Sequence, residues 1–369
     1  MRVTYIVRSI NGTTGLERMI LFQTNYFINK FNYEIDIVLL NTQFKLNNSN
    51  FEINDKIKFT HLKCFKDNSF GYLTKVNSIN KAIKKINPDV IMVCIDEIFG
   101  LTLGLFLTDQ IPKIYQRHTT KQMNLGFSSE SFKDKVINFI KTQLIVRSGF
   151  SYDKFVVLSE EHKSHWSHLN NLEVINNPIT TEYSNKGAEL KNKVVIAVGR
   201  QSYEKGFDML LRSWKKVLDN FPDWTLKIYG NENPKLALKD LAKELLINDN
   251  VQFYNHTSNI EEVYLGSSLL VCSSRIEGFP LVLLEAMALG VPVVSFDCDI
   301  GPRAIIKDNE DGLLVPLNDI DELCNSIKIL ISNYDLRQKL GKKAKENIIR
   351  FSPELVMNNW KILIEELVI

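Results

Sequence analysis

The sequence predicts an α/β protein with two Rossmann-like, doubly wound domains that face each other across a cleft. Three observations predict this fold class. Short apolar runs rich in β-branched residues alternate with amphipathic segments, which is the pattern of parallel sheets covered on both faces. The 369 residues are long for one hydrophobic core and sufficient for two. A polar stretch without apolar periodicity, 179–193, interrupts the alternation near the middle of the chain.

The candidate strands fall into two groups on either side of this break. The first group covers 2–7, 34–40, 56–62, 89–95, 113–118, 154–159 and 173–178, and the second covers 194–199, 224–230, 251–256, 269–274, 291–296 and 312–317. One open sheet in a chain of this size would not contain so many strands. We therefore predict a first domain over 1–180, a linker over 181–193 and a second domain over 194–350.

Amphipathic segments lie between the strands, such as 15–31 and 206–218. The last segment, 351–369, begins with Ser352 in a helix-capping position and Pro353 in a first helical position. It predicts a C-terminal helix with one apolar face that crosses back to the first domain.

Composition excludes several classes of protein. Hydrophobic residues make up 44% and charged residues 24%, with a net charge of +2, so neither disorder nor nucleic-acid binding is indicated. The five cysteines are scattered singly, which predicts no disulfide framework or zinc site and fits a reducing cytoplasm. The first apolar run is too short for a signal peptide, and no run is long enough to span a membrane. We expect a cytoplasmic protein that works in solution or docks on a surface.

Two cations follow the first strand of the second domain. Arg200 comes directly after the strand, and Lys205 precedes the next helix, in "VVIAVGRQSYEKGFDMLL". Two cations beside a helix N-terminus can form an anion site. An ordinary pair of surface cations near a turn is the alternative, and the spacing is not that of a P-loop.

Two glutamates bracket an apolar run in "EGFPLVLLE", residues 277–285. Glu277 lies in a loop at the carboxyl end of a strand, whereas Glu285 lies in the second turn of a helix that starts at Pro280. Because the two carboxylates belong to different structural contexts, they do not form an acid/base pair. Alternatively, Glu277 interacts with the helix dipole and Glu285 is a half-buried structural residue, although a buried carboxylate still needs hydrogen-bond donors.

The segments "GRQSYEKGFDMLL", "SSRIEGFPLVLLEAMALGVPVVSF" and "DNEDGLLV" together resemble the retaining glycosyltransferases of family four, which have the GT-B fold. The similarity is strong over most of 194–350 and weak in the first domain. It implies transfer of a sugar from a nucleotide diphosphate sugar, with UDP the expected nucleotide. The implied acceptor is a saccharide or lipid-linked saccharide in bacterial surface polysaccharide or glycan assembly. The resemblance implies no cofactor beyond the nucleotide sugar and no required divalent metal.

The resemblance assigns roles by position in the second domain. Arg200 and Lys205 match the basic pair on the donor diphosphate, where they stabilise charge on the leaving group. Glu277 matches the glutamate beside the donor sugar, and Glu285 matches the glutamate that accepts hydrogen bonds from the ribose hydroxyls. The backbone N–H groups of three further residues are expected near the sugar or phosphates: Gly278, Phe279 and Leu281.

The remaining assignments are looser. In "RSINGTTGLERM", Gly15 is the better match to the family's glycine loop, although the usual adjacent pair of glycines is absent. His118, at the end of a strand, matches a histidine that faces the donor sugar and acceptor; a structural histidine is the alternative. Asp297 and Gly301 match a loop near the donor sugar. In that loop Ala304 replaces a frequent glutamate, so donor specificity does not follow from it.

Two patterns suggest a metal site without sufficient support. The Asp297–Asp299 pair spells an Asp-x-Asp motif, and the histidines in "HKSHWSH" have the spacing of a stripe along a helix. We expect no metal at the first and a solvated helix face at the second.

The sequence leaves membrane contact and the exact activity open. Residues 132–150 are apolar on one side and basic on the other, which predicts either peripheral contact with the inner face of the cell membrane or a solvated domain helix. Besides a glycosyltransferase, the sequence is compatible with a sugar-nucleotide epimerase on the same fold and with a non-catalytic GT-B partner protein.

Overall fold

The computed structural model describes residues 1–10, 14–40, 53–62, 71–120, 147–180, 187–257 and 259–368. The chain divides into two compact units, each with its own sheet and core. The first unit comprises Met1–Thr180 and Pro353–Ile369, and the second comprises Thr181–Ser352. Residues 181–186 of the predicted linker lie outside the described residues. Its end packs on the second unit, where Ala188 N–H donates to Leu289 O at 2.9 Å.

The first unit contains a seven-stranded sheet in the order β3-β2-β1-β4-β5-β6-β7. All its strand pairs are parallel. The strands are β1 Arg2–Val7, β2 Glu34–Leu39, β3 Lys58–His61, β4 Val90–Cys94, β5 Lys113–Gln116, β6 Lys154–Val157 and β7 Leu172–Val174. The central strands β1 and β4 are buried along almost their whole length because helices cover both faces of the sheet.

The helices of the first unit are α1 Gly15–Phe31, α2 Tyr72–Ile86, α3 Ile98–Leu103, α4 Glu160–Ser164 and, at the chain end, α12 Pro353–Val368. Helices α1 and α12 contribute to the core on one face of the sheet, and α2 and α3 to the core on the other. Helix α12 begins at Pro353, as predicted, and buries Trp360 in the core to which α1 also contributes.

The second unit contains a six-stranded parallel sheet in the order β10-β9-β8-β11-β12-β13. Its strands are β8 Val194–Val198, β9 Thr225–Tyr229, β10 Val251–Tyr254, β11 Leu269–Cys272, β12 Val293–Asp297 and β13 Leu313–Pro316. Its helices are α5 Phe207–Leu218, α6 Leu238–Glu244, α7 Ile260–Leu265, α8 Leu281–Ala288, α9 Pro302–Ile305, α10 Ile320–Ser332 and α11 Tyr334–Asn347. The main core lies between one sheet face and α5, α6 and α10.

Both sheets reverse their strand order once, between β1 and β4 and between β8 and β11. Ligands of open α/β sheets bind beyond the carboxyl ends of the strands at such a point. The fold class predicted from the sequence is confirmed, and every predicted strand corresponds to an observed one. Over the ranges that the structure describes, no helix combines the length and apolar character needed to cross a membrane.

Candidate active site

A cluster of charged and hydroxyl side chains lies at the carboxyl ends of β8 and β11, where the second sheet reverses its order. Lys205 ends a short 3-10 helix after β8, and its Nζ lies 2.6 Å from Oε1 of Glu277 in the loop after β11. The same Oε1 accepts a hydrogen bond of 2.6 Å from the Ser274 hydroxyl. The structure therefore joins two of the predicted site residues through one carboxylate oxygen.

The Lys205 ammonium remains protonated in this setting. Burial, the largest single influence, acts to lower the pKa of Lys205, but the charge of Glu277, the nearby Cys272 and the hydrogen bond to Glu277 together raise the pKa above its ordinary value. Ser274 contributes a neutral donor to the same carboxylate. The cluster thus holds the Lys205 cation and the Glu277 anion within hydrogen-bond distance of each other and shields both from most of the water.

Gly206 is the reason that Lys205 can approach β11 so closely. Its φ of +62° is left-handed, and a Cβ atom at this position would lie 2.0 Å from the Ser273 carbonyl oxygen. The Ser273 hydroxyl, in turn, donates to the Lys205 carbonyl at 3.0 Å. The close approach of the Gly206 backbone to Ser273 and this hydrogen bond together fix the Lys205–Glu277 pair.

Arg200, the other cation of the predicted pair, follows β8 and is exposed to solvent. With the residues that the structure describes it makes no ion pair. Its guanidinium is available for an incoming anion beside a lysine that is already paired.

Glu285 lies in the second turn of α8, as predicted, and only 3% of its surface is exposed. Its Oε2 accepts a hydrogen bond of 2.7 Å from the hydroxyl of Tyr264 in α7. The Tyr264 ring is fully buried. The sequence did not predict Tyr264 as the hydrogen-bond donor to Glu285, because residues 21 positions apart on different helices carry no local signal of contact.

Gly301 brings a second loop against the Glu277 loop. It has φ +96°, and a Cβ atom there would lie 3.0 Å from the Gly278 carbonyl oxygen. Asp297 ends β12, and both of its oxygens accept hydrogen bonds from Arg303, at 2.8 and 2.7 Å. The loop predicted to line the site thus lies beside Gly278, but the Asp297 carboxylate is already engaged by Arg303.

The residues after Glu277 form the entry to α8. Phe279 is buried, with its ring edge-on to Phe351 at 5.5 Å, so its backbone rather than its ring can face a ligand. The helix begins at Leu281, one residue later than the sequence suggested. Gly278 and Leu281 flank this turn.

In the first unit, Gly15 starts α1 directly after its N-cap Thr14. Glu17 accepts hydrogen bonds from the Ser9 hydroxyl at 2.9 Å and from the Thr14 N–H at 3.3 Å. Together with the bond from Glu17 N–H to the Thr14 hydroxyl, this forms a capping box. The capping box explains why α1 begins at Gly15, and residues 11–13, which include the neighbouring glycine of the predicted loop, lie outside the described residues.

His118 follows β5, and its backbone N–H donates to Oδ1 of Asp96 at 2.9 Å. Its Nε2 is buried without a hydrogen-bond partner in the described part of the chain. Burial, together with the charge of Arg117, lowers the pKa of His118 to about 4, although Asp96 acts in the opposite direction. The imidazole is therefore neutral at neutral pH.

The neighbouring Arg117 was missed by the sequence analysis. It is fully buried and donates to the carbonyl oxygens of Thr119 and Thr120, each at 2.9 Å, and to that of Asp96. An arginine surrounded by carbonyls fixes the backbone that carries His118.

The histidine stripe is a correction. Helix α4 ends at Ser164, so the three histidines do not share one helix face. His162 is fully buried, and only His168 is exposed, so the expectation of a solvated face is wrong for His162. Burial, together with the charges of Arg117 and neighbouring histidines, lowers the pKa of His162 to about 3.

No group of three or more histidine, cysteine, aspartate or glutamate side chains is arranged to hold a metal ion among the described residues. In the Asp-x-Asp pattern Asp299 is exposed, whereas both carboxylate oxygens of Asp297 accept hydrogen bonds from Arg303. Residues 132–146 of the predicted basic helix lie outside the described residues.

A cavity of about 480 Å³ opens elsewhere in the second unit, between β8–β10 and α7. Tyr229 and Tyr254, stacked at 4.7 Å, form one wall, and Glu262 and Val263 of α7 form another. None of the predicted site residues lines it.

Known proteins resemble this chain in sequence and in fold. Residues 179–347 match the family of glycosyl transferases group 1. An uncharacterized glycosyltransferase of Haemophilus influenzae is 29% identical over 98% of this chain and 99% of its own length. A Campylobacter jejuni relative is 23% identical over 99% of both chains and carries the name "GalNAc-alpha-(1->4)-GalNAc-alpha-(1->3)-diNAcBac-PP-undecaprenol alpha-1,4-N-acetyl-D-galactosaminyltransferase".

A solved structure shows the same fold at low identity. A mutant of TarM from S. aureus, in complex with Fondaparinux, alpha-GlcNAc-glycerol and UDP, matches with a TM-score of 0.81. Its identity is 15%, and the match covers 98% of this chain and 99% of TarM. The chain thus has the GT-B fold of its structural neighbours. Its residues 179–347 resemble the glycosyl transferases group 1 in sequence.

Proposed function

We propose that this protein transfers a sugar from a UDP-sugar to a saccharide or lipid-linked saccharide, with retention at the anomeric carbon, in the assembly of a bacterial surface polysaccharide or glycan. The family match supports the transferase activity. The UDP in the TarM structure supports the nucleotide, and the undecaprenol diphosphate in the name of the Campylobacter relative supports the acceptor class.

One observation carries the proposal: Lys205, Glu277 and Ser274 meet within 2.6 Å at the reversal point of the second sheet, beside the exposed Arg200. A nucleoside diphosphate brings at least two negative charges and needs cations at its phosphates. We assign Arg200 and Lys205 to the diphosphate. The carboxylate of Glu277 accepts hydrogen bonds from hydroxyls of the transferred sugar.

The other assignments follow from position. Glu285 receives the ribose hydroxyls, and Asp297 and Gly301 belong to the loop beside the sugar. The backbone N–H groups of Gly278, Phe279 and Leu281 face the sugar or phosphates. In the first unit, Gly15 and the neutral imidazole of His118 serve the donor sugar and the acceptor.

The proposed step needs no enzyme-bound sugar. The bond between the anomeric carbon and the diphosphate oxygen breaks while the acceptor hydroxyl oxygen bonds to the same face of that carbon. The acceptor proton passes to a leaving phosphate oxygen, so charge and atoms balance. The protein contributes positioning and stabilises the charge that develops on the diphosphate.

Metal and membrane dependence follow as separate proposals. Two cations at the diphosphate take the place of a divalent metal, so we expect full activity in excess EDTA. We also propose a cytoplasmic enzyme that rests on the inner face of the membrane through 132–150; flotation with anionic and neutral liposomes tests this contact.

The decisive experiment screens UDP- and GDP-sugars with and without saccharide acceptors. We expect nucleotide release that depends on the acceptor, and a product whose anomeric configuration, read by NMR, equals that of the donor. Release that ignores the acceptor, or conversion of one sugar nucleotide into another, contradicts the proposal. Arg200→Ala should lower turnover by about 100-fold with the melting temperature unchanged.

A further inference from the structure

Glu285 is an unusual residue for its helix. The glutamate is buried, and so are four apolar neighbours in α8: Leu283, Leu284, Ala286 and Met287. A carboxylate in such surroundings loses its hydration and requires hydrogen-bond donors that stay in place.

Tyr264 supplies one such donor from a different element. Its hydroxyl lies 2.7 Å from Oε2 of Glu285, a distance typical of a phenol donating to a carboxylate. Helix α7, which carries Tyr264, leads into β11, and α8 follows β11. The bond therefore joins the two helices on either side of the strand that ends in the Ser274–Glu277 cluster.

The Tyr264 side chain is held rigidly. Its ring is fully buried, and its own carbonyl oxygen accepts hydrogen bonds from Ser267, at 3.0 Å from the N–H and 2.7 Å from the hydroxyl. A buried ring on an anchored backbone can set the rotation of the carboxylate that its hydroxyl contacts. Because it is fully buried, Tyr264 acts through Glu285 rather than on a ligand directly.

We propose that Tyr264 is a positioning residue, whose hydroxyl holds the Glu285 carboxylate in the orientation that receives the hydroxyl groups of the donor nucleoside. This inference rests on the proposed function, which assigns Glu285 to the ribose. It predicts that one phenolic oxygen, buried behind the site, controls donor affinity but not the chemical step.

The test compares the affinity of UDP and GDP, measured by isothermal titration calorimetry, for the wild type, Tyr264→Phe, Glu285→Gln and the double variant. For the nucleotide that binds, we expect Glu285→Gln to weaken binding by at least about tenfold and Tyr264→Phe by about three- to tenfold. The double variant should bind no more weakly than Glu285→Gln alone. Turnover of Tyr264→Phe at saturating donor should equal that of the wild type, whereas its donor KM rises.

Tyr334→Phe is the matched control. Tyr334 lies in the same unit, and its hydroxyl donates to the Glu189 carbonyl at 3.1 Å on the surface. It should leave nucleotide affinity unchanged. Glu285→Asp provides a second variant, because it keeps the charge but withdraws it from the Tyr264 hydroxyl; we expect a loss similar to that of Glu285→Gln.

The outcomes separate the inference from the proposed function. If Glu285→Gln weakens binding but neither Tyr264→Phe nor Glu285→Asp does, Tyr264 has no positioning role and the proposed function stands. If Tyr264→Phe weakens binding further in the Glu285→Gln background, its effect is general loosening and the inference is wrong. If neither nucleotide binds the wild type, or Glu285→Gln binds as the wild type does, the ribose assignment fails and the inference fails with it.

Discussion

The pairing of Lys205 with Glu277 makes the centre of the site close to electroneutral before any ligand arrives. A diphosphate that enters must share the lysine with the glutamate, and it meets repulsion from the carboxylate. The two residues therefore affect binding in opposite directions, although both are assigned to the same donor.

Glu277→Gln separates these effects. Removing the negative charge releases Lys205 for the phosphates, so UDP should bind at least as tightly as to the wild type. Turnover should fall by about 100-fold, because the carboxylate that we assign to the sugar hydroxyls is lost. Calorimetry and acceptor-dependent UDP release measure the two quantities. Glu244→Gln, an exposed change on α6, is the control, and weaker UDP binding with normal turnover would contradict the assignment.

The buried His162 predicts a specific acid sensitivity. Its pKa is lowered from 6.5 to about 3, so the folded protein cannot take up the proton that the unfolded chain binds below pH 6.5. Stability is thus complete above this pH and falls as pH decreases towards 3. At pH 5.0 the loss from this residue is about 2 kcal/mol.

Urea unfolding at pH 7.5 and pH 5.0 checks this prediction. His162→Leu cannot titrate, so its drop in unfolding free energy between the two pH values should be smaller than that of the wild type. His256→Gln, which changes an exposed histidine, should retain the wild-type drop. Equal drops in the wild type and His162→Leu would show that this imidazole does not contribute.

Sequence motifs located the residues that we assign to the ligand better than the residues that support them. Lys205 and Glu277 could be predicted because each follows a strand end in a recognisable local pattern. Tyr264 and Arg117 could not, because the bond from Tyr264 to Glu285 and the bond from Arg117 to the Asp96 carbonyl oxygen arise only when separate elements pack. Hydrogen bonds between distant elements leave no periodicity in the sequence.

At the scale of elements, the join between the 3-10 helix and α5 depends on one glycine. Gly206→Ala would place a Cβ against the Ser273 carbonyl oxygen in a left-handed backbone, so both the turn and its contact with β11 must shift. We expect a lower melting temperature and at least a tenfold loss of turnover, since Lys205 moves away from Glu277.

Gly187→Ala is the matched control for this change. A Cβ at Gly187 meets nothing closer than the Leu289 carbonyl oxygen at 3.9 Å. Differential scanning fluorimetry and the transferase assay should find this variant close to the wild type. A Gly206→Ala enzyme with full activity would show that the approach of the two strand ends is dispensable.

The strands could be predicted because buried parallel strands appear in a sequence as apolar runs. The residues at which the strands end were harder to predict. The sequence extended β5 to His118, whereas it stops at Gln116. The Arg117 backbone N–H still donates to the Val156 carbonyl oxygen of β6 at 2.9 Å, while its guanidinium binds the carbonyl oxygens of the following residues. The exact residue at which a strand ends therefore leaves no clear signal in the apolar pattern.

At the scale of the whole molecule, each unit has a core of its own, so damage to one need not unfold the other. Trp360→Ala removes a buried ring from the first unit and should cost that unit about 3–5 kcal/mol. We expect calorimetry to show that one unfolding transition, that of the first unit, has moved to lower temperature. UDP binding should be preserved at temperatures below this transition. Trp214→Ala, in the core of the second unit, should instead abolish UDP binding.

The predicted return of the C-terminal helix has a consequence for the order of events at the ribosome. The first unit is discontinuous: 172 residues of the second unit, Thr181–Ser352, are inserted between its main part and α12. The inserted unit is complete in the growing chain before Trp360 has been synthesised. The main part of the first unit, Met1–Thr180, therefore cannot complete its core until α12 has been synthesised. Until then the apolar surface on which α12 will pack stays exposed, and a nascent-chain chaperone would bind there.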